Sequence, residues 1–184
     1  MATPRIAPLD PPYSPAIAAL FERSLPPGLE PLKLFRTLAR NERACQRFFA
    51  GSLLDRGSIE LTEREIVILR SCARCGSDYE WGVHVTIFAE RAGLDAAQIA
   101  ATTEGDPAAP CWTARQGLLI ALVDALHDKA AVPDDLWTAL AAEWTEEQLI
   151  ELVQLTGYYH MVSFLTNAFR IEAEPYGRKM LAAR

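Results

Sequence analysis

The stretch LTEREIVILRSCARCGSDYEWGVHVTIFAERAGL, residues 61–94, decides the fold. Thr62 followed by Glu65 matches a Thr-x-x-Glu capping box, which opens a helix. The run then continues through Ile66, Val67, Ile68 and Leu69 to about Cys75. A second helix starts near Ser77 or Asp78, and Gly93 stands where it closes. No part of the stretch alternates apolar and polar residues with period two, as a half-buried strand would.

The same signals continue outward. Downstream, Asp95 caps a short helix over 95–102, and TEGDPAAP at 103–110 is a loop. Trp112 to Leu126 reads as a helix, and Pro133 to about Trp144 as another. Thr145 and Gln148 form a second capping box, opening a long helix to about Ile171, and EPYG at 174–177 breaks it. Upstream, Ser14 and Pro15 suit the cap and first position of a helix over 14–24, which PPGLEP at 26–31 ends. Residues 32–40 and 42–56 form two more helices, with Gly57 as C-cap. Residues 1–13 are a Pro-rich, extended arm suited to lying across a neighbouring subunit. The expectation is one all-α domain over 14–184, of about eight helices, with its core motif at 61–94.

Composition narrows the function classes. The chain has 184 residues and a net charge of -6, so a phosphate backbone would be repelled and nucleic acid is not an expected partner. No polybasic run is present to hold an anionic membrane, and no apolar stretch is long enough to span one. The N-terminus lacks a signal-peptide core, so a cytoplasmic location and reduced thiols at Cys45, Cys72, Cys75 and Cys111 are expected. No glycine-rich phosphate loop follows a strand, and no cofactor is expected.

Reactive side chains concentrate in CARCGSDYEWGVH, residues 72–84. Ser77, Glu80 and His84 are three and four residues apart, so they share one helix face. A carboxylate at Glu80 is in reach of the His84 imidazole, where it would fix the tautomer and raise the basicity, as a general base requires. Without further context such a pair is a surface ion pair of little energy, and Tyr79 and Trp81 are core or interface aromatics. Cys72 and Cys75 form a Cys-x-x-Cys at the C-terminal end of a helix, where the dipole disfavours a thiolate, so two small buried side chains are the simpler reading. A zinc site at this pair lacks a second Cys or Cys/His pair, so no metal is expected. The thin alternative joins Glu80 and His84 to His160. His127 reads as a solvated residue at a helix end. On the last helix Tyr159, Ser163 and Asn167 recur every four residues beside His160, a polar stripe that needs partners, water or ligand.

These residues carry a resemblance. Residues 61–94 resemble the core of the carboxymuconolactone decarboxylase superfamily, which includes the alkylhydroperoxidase D (AhpD)-like proteins. Arg64-Glu65-Ile66-Val67 stands at the usual Arg-Glu-Leu-hydrophobic opening, and GSDYEWGVH lies over the redox motif Gly-Cys-x-x-Cys-x-x-x-His. His84 matches the motif histidine, but Ser77 and Glu80 occupy the two cysteine positions. Cys72 and Cys75 are offset by five residues, so the redox roles do not transfer to them. The Tyr-Glu-Trp-x-x-His pattern and GYYHMVSFLTNAF at 157–169 are similar to a branch lacking the redox cysteines. The resemblance implies an AhpD-like helical bundle, a homo-oligomer with sites near subunit contacts, and a proton-relay role for Glu65 with the histidine.

The leading expectation is an acid–base enzyme of decarboxylase or lactone type acting on a small molecule. His84 is its centre, Glu80 orients it, and Glu65, Ser77 or Tyr79 complete the pocket. A peroxiredoxin-like thiol activity through Cys72 and Cys75 is the alternative. A non-catalytic oligomeric binding protein is the third.

Overall fold

A computed structural model describes residues 3–180. Its secondary structure is helical throughout the described residues: α1 (Pro15–Ser24), α2 (Lys33–Leu38), α3 (Glu42–Ala50), α4 (Leu61–Arg74), α5 (Asp78–Phe88), α6 (Ala96–Glu104), α7 (Ala114–Lys129), α8 (Asp134–Glu143) and α9 (Glu146–Phe169). The all-α expectation holds, with nine helices among the described residues rather than about eight.

Helix α4 is the axis of the fold, packed against α5, α6, α7 and α9. Its middle is buried on every side because neighbours surround it; Ile66, Val67, Ile68, Leu69 and Cys72 are fully buried. Two of its charged residues, Arg70 and Glu63, are buried with partners, as the low dielectric demands. Arg70 forms a two-pronged bond with Asp124 of α7, Nε and Nη2 at 2.8 and 2.7 Å. Glu63 accepts from Arg115 Nε at 2.8 Å and Trp144 Nε1 at 3.1 Å, and the Arg115 guanidinium stacks on the Trp144 ring.

The start of α4 differs from the sequence reading in a way that matters for the site. The capping box is Glu60 with Glu63, two residues earlier than Thr62 with Glu65. Thr62 instead donates to the Ala92 carbonyl at 2.6 Å, tying α4 to the chain after α5. Glu65 is thereby one turn inside the helix, its carboxylate free for a tertiary partner. At the other end Gly76 takes φ +63°, a left-handed conformation that glycine adopts without strain. The Ser77 N–H bonds the Cys72 carbonyl at 2.8 Å, and the chain folds back as α5.

Two further boundaries are corrected. Helix α3 stops at Ala50 with Gly51 as C-cap, so residues 51–60 are irregular and Gly57 caps nothing. Helix α5 ends at Phe88, short of Gly93. The N-terminal segment bonds to its own chain: Arg5 N–H bonds Phe169 O at 2.9 Å, and Leu9 N–H bonds Arg36 O at 3.0 Å. The residues after α9 clasp α5 from outside. Arg178 N–H bonds Gly82 O at 3.2 Å, an approach so close that a side-chain carbon at position 82 would collide with the Arg178 backbone. None of the helices searched is long and apolar enough to cross a membrane.

Candidate active site

The turn at Gly76 lays α5 back along α4 and sets Glu65 against His84, 19 residues away in sequence. His84 is 2% exposed and Glu65 0%. The Glu65 carboxylate contacts His84 Nδ1 at 2.8 Å through Oε2. Its other oxygen accepts from Arg64 Nε at 3.1 Å, so the guanidinium offsets the buried charge. On the opposite side of the ring, His84 Nε2 is met by two groups. The Tyr159 hydroxyl lies at 3.0 Å and Glu80 Oε1 at 3.4 Å. Tyr159 arrives from α9 with its ring edge-on to the imidazole, while Phe88 stacks on it at 5.0 Å.

The two carboxylates therefore differ in position from the sequence expectation. Glu65, not Glu80, sits on Nδ1 and orients the ring. Glu80 shares the other nitrogen with Tyr159. Glu80 Oε2 is buried and has no hydrogen-bond partner, which is costly unless a ligand group supplies a donor.

Electrostatics follow from this geometry. Burial alone would lower the His84 pKa, but Glu65 and then Glu80 outweigh it and raise it from 6.5 to about 9. The imidazole is thus held as imidazolium at neutral pH. Burial pushes the Tyr159 hydroxyl well above its ordinary value, with Glu80 and Glu65 adding to the effect, so it remains a neutral O–H.

Glu80, His84 and Tyr159 line one end of a pocket of about 630 Å³. Most of the remaining wall is apolar, with Leu25, Leu29 and Leu32 before α2, Phe35 on α2, Phe48 and Phe49 on α3 and Tyr158 on α9; Ser24 and Glu30 add polar groups before α2. Phe35 and Phe49 pack at 4.8 Å, and Phe48 meets Tyr158 at 5.5 Å. The irregular stretch after α3 contributes Ser52, Leu54 and Asp55. Glu65 is absent from the lining, so Nε2 rather than Nδ1 is the nitrogen presented to the pocket. A second hollow of about 400 Å³ lies between Phe21 and Pro31, with Glu22 its only ionisable lining group.

The remaining sequence candidates lie elsewhere. Ser77 is fully buried and bonded to Thr166 at 2.8 Å. The Tyr79 hydroxyl accepts from the Leu34 N–H at 3.2 Å and donates to Glu174 at 2.6 Å, joining α5, α2 and the C-terminal segment. Neither lines the pocket. Cys72 is fully buried and Cys75 half-buried, and neither lines the pocket. Burial raises the pKa of both thiols, Cys72 by far the more. His160 does not join Glu80 and His84: its Nε2 lies 3.0 Å from His127 Nδ1, on a different face of α9 from the Tyr159–His84 contact. Sequence reasoning singled out Tyr159 only as part of a polar stripe, and it missed the phenylalanine wall and His127. The stripe was a usable signal for Tyr159; a phenylalanine facing a pocket is indistinguishable in sequence from one facing the core.

The described helices form an all-α, AhpD-like fold. Residues 40–124 match the carboxymuconolactone decarboxylase family. Among curated protein sequences none matches significantly. Solved structures share the fold at low identity. A peroxidase-related protein from Silicibacter sp. TM1040 is 17% identical with TM-score 0.75, covering 97% of this chain and 98% of that one. An AhpD-core, peroxidase-related protein from Ralstonia eutropha JMP134 is 20% identical with TM-score 0.73, covering 95% of each chain. The debrominase Bmp8, solved with 2,3,4-tribromopyrrole, is 17% identical with TM-score 0.71, covering 96% of this chain and 94% of that one.

Proposed function

We propose that the protein is an acid–base enzyme acting on a small, largely apolar ring compound that carries a hydrogen-bond donor. The observation that carries this reading is the His84 ring, clamped by Glu65 and presented through Nε2 to a largely apolar pocket beside an unpartnered Glu80 oxygen. The pocket is of the size and polarity of a small-molecule site. A substrate hydroxyl or ring N–H would satisfy Glu80 Oε2. That would hold the ring against the Phe48–Phe49 wall with its reacting atom near His84 Nε2. His84 acts as general acid, giving its Nε2 proton to the carbon that keeps the electron pair when a carboxylate leaves as carbon dioxide, or to the ring oxygen that leaves when a water molecule adds to a lactone carbonyl and the acyl C–O bond breaks. Glu65 keeps the charge of the imidazolium matched before transfer, and the ring regains a proton from water afterwards. The pyrrole bound by Bmp8, itself a small ring with an N–H, is in line with this substrate class.

The thiol alternative has less support. Cys72 is sealed from the pocket, both thiols are raised by burial, and Ser77 and Glu80 stand where the family's redox pair would be.

The test is turnover of a panel of aromatic and unsaturated carboxylic acids and lactones, read as proton uptake or release. Wild type is expected to turn over a member of the panel, His84→Gln to lose that activity, and a Cys72→Ala/Cys75→Ser variant to keep it. Activity that survives His84→Gln but dies with the cysteines would overturn the reading.

A further inference from the structure

Three residues that sequence reading kept apart meet at the C-terminal end of α4. Cys75 is the C-cap of α4, His127 lies in the last turn of α7, and His160 is in the middle of α9. His127 Nδ1 is 3.9 Å from Cys75 Sγ and 3.0 Å from His160 Nε2, and all three atoms lie within 4.8 Å of one another. The geometry points to a divalent transition-metal site at Cys75, His127 and His160, with Zn²⁺ the best-fitting ion.

Four features support the assignment. First, the spacing suits a tetrahedral ion. Zn–N bonds of about 2.0–2.1 Å and a Zn–S bond of about 2.3 Å give nitrogen–nitrogen and sulfur–nitrogen edges of roughly 3.3 and 3.6 Å, close to the 3.0 and 3.9 Å found here. Second, His160 Nδ1 lies 2.8 Å from the Thr156 carbonyl. That oxygen can only accept, so Nδ1 carries the proton and Nε2 keeps its lone pair for the ion. A backbone carbonyl behind a ligating imidazole is the usual support of a metal histidine. Third, the donor set of one thiolate and two imidazoles suits a borderline-soft ion. Fourth, all three residues are half-buried, leaving a fourth position for water, as in zinc sites with three protein ligands. The Arg74 guanidinium next to Cys75 does not oppose the ion unopposed: it is engaged by Asp128 and, at 3.5 Å, by Asp124. Binding takes one proton from Cys75 and delivers it to solvent, so the ion meets a thiolate.

None of the three residues lines the His84 pocket, so the site is separate from the proposed active site. The N-terminal half of the reactive cluster, Cys75, faces this site, while its C-terminal half, His84, faces the other.

The experiment uses the full chain, reduced, stripped of metal with a chelator and titrated anaerobically with Co²⁺. The expected result is one Co²⁺ per chain, with a thiolate-to-cobalt band in the near ultraviolet and the visible bands of a four-coordinate ion. Zn²⁺ should displace it. Cys75→Ser should abolish the thiolate band. His127→Gln and His160→Gln should each weaken binding at least about tenfold, since loss of a mere supporting group costs about that much. His84→Gln should bind Co²⁺ as wild type does, which separates this inference from the acid–base reading. Far-ultraviolet circular dichroism without metal checks that each variant is folded. The inference is overturned if no sulfur-ligated Co²⁺ is taken up, if the thiolate band survives Cys75→Ser, or if both histidine variants bind as wild type does.

Discussion

Replacing Glu65 by Gln removes the charge on His84 Nδ1 while keeping a carbonyl oxygen to accept its hydrogen bond. In the wild type His84 is raised from 6.5 to about 9, with burial opposing and Glu65 the larger of the two raising partners. At roughly 1.4 kcal/mol per pH unit, that rise corresponds to about 3 kcal/mol of preference for the imidazolium in the folded state. Because the folded pKa lies above the unfolded one, this stability is fully present below about pH 6.5 and is lost as pH climbs through about 9. In Glu65→Gln burial keeps its lowering effect and only Glu80 opposes it, so the His84 pKa is expected to fall to about neutrality or below. Two assays follow. The imidazole carbon and nitrogen shifts of His84, followed by NMR across pH 5–11, give the pKa directly. Urea unfolding at about pH 6 and 9.5 gives the linked stability, with His84→Gln subtracting the contribution of every other titrating group. The wild type should lose about 3 kcal/mol more than His84→Gln over that window, and Glu65→Gln much less. A His84 pKa that stays near 9 in Glu65→Gln, or that lies below 7 in the wild type, would refute the assignment of Glu65 as the charge that holds the imidazolium.

Tyr79→Phe should destabilise the chain by about 1–2 kcal/mol, because it strips the Leu34 N–H of its acceptor and Glu174 of a donor. It should leave the His84 titration curve where it was; a displaced curve would return Tyr79 to the site. Asp124→Ala should cost about 3 kcal/mol or more in urea unfolding, since it leaves the Arg70 guanidinium, 6% exposed, without its carboxylate. A loss under about 1 kcal/mol would mean that the pair contributes little to holding α4 against α7.

How far the sequence could be read depended on the range of the interactions involved. Capping boxes at Thr145–Gln148 and the Asp95 cap act within one turn, and both stand where the sequence puts them. The box at Thr62–Glu65 was misplaced because Glu60–Glu63 offers the same chemistry two residues earlier, and a local rule has no means to choose between them. The choice is made by the Ala92 carbonyl, which takes Thr62, and by His84, which takes Glu65. Glu80 and His84 were legible as an i,i+4 pair. Their burial was not, because the covering residues Tyr159, Phe35 and Phe48 come from helices far along the chain.

By itself, then, the sequence determined the helices, their approximate order and the superfamily motif around His84. Hydrogen bonds between near neighbours and helical periodicity carry that information, and both are written in consecutive residues. The tertiary structure alone decided which carboxylate orients His84, that Ser77 and Tyr79 face away from the pocket, and that Cys75, His127 and His160 converge. Each of those outcomes depends on α4 being surrounded by α5, α7 and α9. Close packing of whole helices sets which side chains share a space, and residues 19, 33, 52 or 75 positions apart give no local sign that they will.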